Sequence, residues 1–71
     1  MYTGYYIEGY RIYGPAESGK YSIDRGYIYG PRNSGKFYIR ENRIYGLDRV
    51  TKFYIENNRI YGPSGILPWM Q

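Results

Sequence analysis

A repeat of sixteen residues runs through the chain without a gap: YYIEGYRIYGPAESGK from Tyr5, YSIDRGYIYGPRNSGK from Tyr21, FYIRENRIYGLDRVTK from Phe37 and FYIENNRIYGPSGILP from Phe53. So short and regular a repeat predicts one supersecondary unit copied around an axis or along a stack, because a single copy is too small to bury its own apolar face. The copies cover 5–20, 21–36, 37–52 and 53–68 with a tail over 69–71, and the 71 residues read as one hairpin-repeat domain, 1–71. A chain of this length buries only about 60% of the surface that its unfolded form exposes. Oligomerisation or unusually regular packing must therefore support the core.

Each copy reads as a β-hairpin. Phe53-Tyr54-Ile55-Glu56 and Arg59-Ile60-Tyr61-Gly62 are short β-branched and aromatic runs on either side of Asn57-Asn58. The corresponding pairs Gly9-Tyr10, Arg25-Gly26 and Glu41-Asn42 also contain Gly or Asn, which tolerate the positive φ of tight I′ or II′ turns. A two-residue turn fixes the register, so Glu56 faces Arg59, Ile55 faces Ile60, Tyr54 faces Tyr61 and Phe53 faces Gly62. Alternation then gives each hairpin one apolar face: Tyr5, Ile7, Ile12 and Gly14 in the first copy, with Tyr21, Ile23, Ile28 and Gly30, Phe37, Ile39, Ile44 and Gly46, and Phe53, Ile55, Ile60 and Gly62 in the others. A large ring over a facing Gly covers backbone that the Gly leaves bare.

The opposite face is amphipathic. It carries Tyr6, Tyr13, Tyr38, Tyr45, Tyr54 and Tyr61 with Arg11, Arg40, Arg43 and Arg59, and also Tyr29. Glu8 with Arg11 and Glu56 with Arg59 are expected as opposite-charge pairs, whereas in the third copy Arg40 faces Arg43, a like-charge pair. The connections GPAESGK, GPRNSGK and GLDRVTK each end in Lys, at Lys20, Lys36 and Lys52, as solvated charges that discourage edge pairing or as a sparse basic rim. The third connection departs from the others, with Leu47 in place of Pro and Val50-Thr51 in place of Ser-Gly, and is expected to form a longer strand or a contact surface.

The eight Ile of these faces must meet one another to be buried, so the expected fold is all-β: four tandem β-hairpin repeats arranged about a pseudo-four-fold axis. The tail Ile66-Leu67-Pro68-Trp69-Met70 begins a fifth copy, and Tyr2-Thr3-Gly4 precedes the first. Pairing of the tail with the first hairpin would close the ring and remove two sheet edges, while pairing with a neighbouring molecule would build an open filament. Closure within one molecule is the expectation.

The stretch YIRENRIYGLDRVTKFYIENNRIYG, an Ile-x4-Ile-Tyr hairpin core followed by a turn ending in Lys and an aromatic, resembles the small bacterial proteins called four-fold beta flower proteins. The resemblance runs from about Tyr5 to Trp69. It implies four hairpins about a pseudo-four-fold axis and no established activity, and GLDRVTK departs from its strict symmetry.

Chemistry is constrained by what is missing. With no Cys and no His, disulfides, thiolate metal sites, a neutral-pH imidazole base and a thiol nucleophile are excluded. Ser18, Ser22, Ser34 and Ser64 have no recognisable base beside them, and GPRNSGK lacks the helix that a phosphate-binding loop uses. The chain reads as non-enzymatic, with no cofactor and no metal. No apolar run approaches the ~18 residues of a membrane span and no signal peptide is apparent, so a soluble, cytoplasmic protein is the default expectation. Tyr beside Arg is the pairing enriched at interface anchors. A structural or protein-interaction module, self-associating through the Tyr/Arg face, is the leading expectation. Binding of nucleic acid, with bases on the rings and phosphates on Arg and Lys, is the alternative. The same Tyr residues also serve the sheet simply by pairing across strands.

Overall fold

The computed structural model of the chain describes residues 1–46, 48 and 50–71. Eight strands pair in chain order into one closed antiparallel barrel. They are β1 (Tyr2–Glu8), β2 (Arg11–Tyr13), β3 (Tyr21–Asp24), β4 (Tyr27–Tyr29), β5 (Phe37–Arg40), β6 (Arg43–Gly46), β7 (Val50–Glu56) and β8 (Arg59–Tyr61).

The local chemistry of the turns sets the pairing. Both residues of the turns at 9–10, 25–26, 41–42 and 57–58 have φ between 52° and 87°. That is the type I′ pattern, whose twist matches the twist of the strands it joins. Holding Tyr10, Arg25 and Glu41 in this left-handed region costs about 1 kcal/mol each, which the rest of the barrel offsets. The register that follows is the expected one: Ile7↔Ile12, Ile23↔Ile28, Ile39↔Ile44 and Ile55↔Ile60. Each turn also accepts a bond from the next strand, Ile23 N to Tyr10 O at 2.8 Å, Ile39 N to Gly26 O at 2.7 Å and Ile55 N to Asn42 O at 2.8 Å. The bond from Ile7 N to Asn58 O at 2.7 Å repeats this contact between the first strand and the last turn. The barrel thus closes within one chain, with a bond of the same kind at its closing seam.

The interior holds Ile12, Ile28, Ile44 and Ile60, each at most 2% exposed, with the buried rings of Tyr5, Tyr21, Phe37 and Phe53. Ile55 is buried as well, while Ile7, Ile23 and Ile39 are half-buried and pack against this cluster at the turn end of the barrel. Each buried Ile contributes on the order of 2 kcal/mol. The rings need their facing glycines. A Cβ at Gly14, Gly30 or Gly62 would overlap the ring of Tyr5, Tyr21 or Phe53 respectively.

The tail does not close the barrel as the repeat suggests. β1 pairs with β8 directly, through Tyr2↔Tyr61 and Tyr6↔Arg59, because Tyr2-Thr3-Gly4 extends β1 over the edge that the tail would have taken. Pro68 has no N–H to give a ladder, and Pro68–Met70 instead forms a single 3₁₀ turn. It turns Trp69 into the barrel at the connection end. There the indole is fully buried, with ring centroids 6.0 Å from Tyr21 and 6.1 Å from Phe37. Leu67 is buried beside it in the same core cluster, Asn33 Nδ2 donates to Trp69 O at 2.8 Å, and Arg32 Nη1 donates to Met70 O at 3.4 Å.

The third connection does yield a longer strand. β7 begins at Val50 and has seven residues, as β1 has, against four in β3 and β5. Leu47 lies outside the described residues.

Candidate functional site

The outer face is built by alternation: side chains flanking each inward Ile point outward, and antiparallel pairing brings them together two by two. Tyr6 stacks on Tyr13 at 5.7 Å between centroids, Tyr38 on Tyr45 at 5.4 Å, and Tyr54 on Tyr61 at 5.4 Å. These pairs follow from the turn register alone. Two further contacts extend them across the seams between hairpins: Tyr27 lies 5.5 Å from Tyr38, and Tyr2 lies 5.5 Å from Tyr61. Among the described residues the surface therefore carries two three-ring clusters, Tyr27–Tyr38–Tyr45 and Tyr2–Tyr61–Tyr54, each a stacked pair with a tilted third ring, and one stacked pair, Tyr6–Tyr13. Neighbouring rings contribute about 0.5–1.5 kcal/mol per pair beyond the area they bury. Tyr29 stands opposite Ser22 and is 40% exposed.

Tyr2 and Tyr27 are absent from the sequence-based site. Tyr27 occupies the repeat position that holds Arg11, Arg43 and Arg59 in the other copies, and Tyr2 lies ahead of the first copy. Only the seam register Tyr27↔Tyr38 and Tyr2↔Tyr61 brings them in. An aromatic breaking an otherwise basic repeat position is the signal that could have marked Tyr27.

Of the four arginines of this face, two have a side-chain partner among the described residues and two have none there. Glu8 and Arg11, and Glu56 and Arg59, face each other in register as expected, yet neither couple forms an ion pair. Arg11 Nη1 instead donates to Gly19 O at 3.0 Å, where a carbonyl of the adjoining connection lies within reach. The Arg59 guanidinium sits 5.7 Å over the ring of Tyr2. Among the described residues the one ion pair is Arg32 with Glu17, at 3.5 Å between two connections. Arg40 and Arg43 are exposed and opposed in register, and no side-chain hydrogen bond or ion pair among the described residues involves them. Glu41 does not neutralise them by direct contact.

Along the sequence, the net charge of the chain is concentrated in the segment that contains that pair. Residues 1–31 hold three acidic and three basic side chains and 53–71 hold one of each, so the whole net charge of +4 resides in residues 32–52. The described part of that segment is β5, β6, the start of β7 and the connection before β5. Arg43 lies opposite Tyr54 across the β6–β7 seam, so the cross-strand row Arg40–Arg43–Tyr54 runs beside the row Tyr27–Tyr38–Tyr45 on the same face. Lys20, Lys36 and Lys52 are all exposed.

Other features are weaker candidates. A groove of about 490 Å³ between β1 and the last turn, bordered by Tyr2, Glu8, Asn58 and Arg59, carries one acid and one base and so has no net charge to select a ligand. No group of three or more His, Cys, Asp or Glu that could hold a metal ion is present among the described residues. Tyr21 has the one clearly displaced ionisation: burial, then its hydrogen bond to Glu17 Oε1 at 2.8 Å and the charge of that carboxylate, push the hydroxyl up to about 12. It lies in the barrel wall and not on the Tyr/Arg face. No helix among the described residues is long and apolar enough to cross a membrane.

Comparison with known proteins adds no relative: no family model, no curated protein and no solved structure matches the chain.

Proposed function

We propose that the chain is a non-enzymatic interaction module, four hairpins about a pseudo-four-fold axis in the manner of four-fold beta flower proteins, that docks on an oppositely charged partner through the outer face of β4–β7. The observation that carries this reading is the coincidence of three things on one strip. Two exposed arginines with no side-chain partner among the described residues, a run of partly exposed tyrosines, and strands from the sequence segment that carries the net charge fall together there. Like charges set directly opposite each other are destabilising in an isolated sheet, so keeping Arg40 against Arg43 suits a face that meets an anion from outside. Catalysis is disfavoured by the lack of His and Cys. Self-association through two copies of the same strip would set Arg40 and Arg43 against their counterparts, and the charge therefore favours a different partner over a second copy.

Retention on a heparin column tests the reading with a simple polyanion. The native chain is expected to elute at clearly higher salt than Arg40→Ala/Arg43→Ala, and a Lys20→Gln control in the first connection should elute between them, closer to native. Equal elution of all three would remove the basis for placing the docking face on this strip. Light scattering during size exclusion is expected to show a monomer across concentration; a concentration-dependent dimer lost in the double variant would favour self-association instead.

A further inference from the structure

Taking that docking face as given, we propose that its partner is single-stranded nucleic acid, with bases stacking on the tyrosines that flank Arg40 and Arg43 and phosphates meeting the two guanidiniums.

The strip offers more than charge. An acidic protein surface would be held by Arg40 and Arg43 alone, and the rings beside them would work against it. The face of an aromatic ring is the negative pole of its quadrupole and disfavours a carboxylate, whereas a nucleobase presents a π-face of its own and stacks on it. The strip sets the two functions side by side: one cross-strand row holds Tyr27, Tyr38 and Tyr45, in contact at 5.5 and 5.4 Å, and the neighbouring row holds Arg40, Arg43 and Tyr54. Tyr27 and Tyr54 are each 39% exposed, so a ring at one end of each row remains open to solvent. Arg11 and Arg59, at the same repeat position in the first and last copies, are engaged with Gly19 O and the Tyr2 ring, whereas Arg43 is left without such a partner. A duplex would use the charge but not the rings, since its bases are already stacked. A single strand uses both.

The test is fluorescence anisotropy at low and moderate salt with a labelled oligothymidylate of about fifteen nucleotides, the upper end of the span one small barrel covers. A duplex of the same length and a labelled polyglutamate serve as competing probes. Binding of the single strand is expected to weaken about tenfold in Arg40→Ala/Arg43→Ala, with the slope of log affinity against log salt falling by about 1.4, or ~0.7 for each lost phosphate contact. Tyr27→Thr, at a site where other copies carry a different residue, and Tyr54→Thr are each expected to weaken single-strand binding about tenfold and leave the salt slope unchanged. Circular dichroism and thermal unfolding establish that each variant is folded, and Lys20→Gln, in the first connection, should keep affinity within about twofold, since one charge outside the strip enters only through weak long-range screening.

Polyglutamate binding as tightly as the oligonucleotide, with the Arg variant weakened and the Tyr variants unaffected, would overturn the nucleic-acid assignment while leaving the docking face in place. Equal binding of duplex and single strand without any effect of the Tyr variants would do the same. No binding of any probe at low salt, where the electrostatic attraction is greatest, would overturn both readings.

Discussion

The four seams between hairpins solve one problem in two ways. At every seam a carbonyl of one hairpin takes a donor from the segment leading into the neighbouring strand. At β2–β3 and β4–β5 a backbone amide supplies it, Gly19 N to Ile12 O at 2.8 Å and Gly35 N to Ile28 O at 2.7 Å. These glycines have φ of 75° and 77°. At β8–β1 and β6–β7 the same repeat position is threonine, and a hydroxyl takes over: Thr3 Oγ1 donates to Ile60 O at 2.7 Å, and Thr51 Oγ1 donates to Ile44 O. Each threonine also accepts the amide two residues on, Tyr5 N to Thr3 and Phe53 N to Thr51, both at 3.2 Å. Both threonine seams carry a register shift, which the hydroxyl bridges, and their following strands run to seven residues. The glycine seams leave short strands, and the buried tail covers the rings behind them, Tyr21 and Phe37. One repeat therefore closes the connection end of its barrel partly with its own strands and partly with a borrowed plug.

The largest effect should come from removing that plug. Trp69→Ala is expected to lower stability by about 3–5 kcal/mol, measured by urea unfolding, because it empties a fully buried site. Its effect on amide exchange should be greatest beside Tyr21 and Phe37 and smallest at the threonine seams. Next in size is Gly30→Ala, whose methyl would overlap the Tyr21 ring and which should cost about 1–3 kcal/mol in the same assay.

The division between seams also marks what was legible in the chain. The turn pairs, the Ile register and the ring-over-glycine faces are local consequences of a two-residue turn, and each could be read from one copy. The longer strand at Val50 could be read too, from the loss of Ser-Gly in the third connection. The tail could not. Matching Trp69 to the ring position of a fifth copy is correct as a sequence alignment, but Pro68 ends the ladder and β1 already occupies the free edge of β8. The surface was legible only within hairpins: stacking of Tyr6 on Tyr13 follows from the turn, whereas Tyr27 on Tyr38 requires the seam register. Glu8 faces Arg11 as the turn dictates, but the absence of an ion pair between them was not legible for a related reason, since Gly19 O, which Arg11 meets, comes from the next connection.

Smaller changes would sharpen the contrast between the two seam types. Thr3→Val removes a buried hydroxyl that both donates and accepts, leaving two backbone groups without their partner. It should cost about 1–3 kcal/mol by chemical unfolding, and Thr51→Val, in a half-buried site, less. Gly35→Ala should cost about 1 kcal/mol through its positive φ, and the amide bond to Ile28 O should survive it. If the threonine and glycine substitutions gave the same exchange pattern, the two seams would not differ in the way described.

The smallest effect is confined to alkaline solution. The Tyr21 hydroxyl is raised from its ordinary value of 10.0 to about 12, so as the pH climbs between these values the unfolded chain gives up this proton while the folded chain keeps it. Its contribution to stability is present below pH 10 and is lost as pH rises toward 12. Tyr21→Phe, which matches the residue type at Phe37 and Phe53, should flatten that part of the stability profile, followed by unfolding at a series of alkaline pH values.

The account rests on β1 meeting β8 of the same molecule around an interior of isoleucine. The most direct measurement is isotope-filtered NMR on a mixture of labelled and unlabelled chains, reading contacts between Tyr2 and Tyr61 and between Tyr6 and Arg59. The account predicts that both contacts appear only within a molecule and persist on dilution. Contacts seen between labelled and unlabelled chains, fading as the sample is diluted, would contradict it.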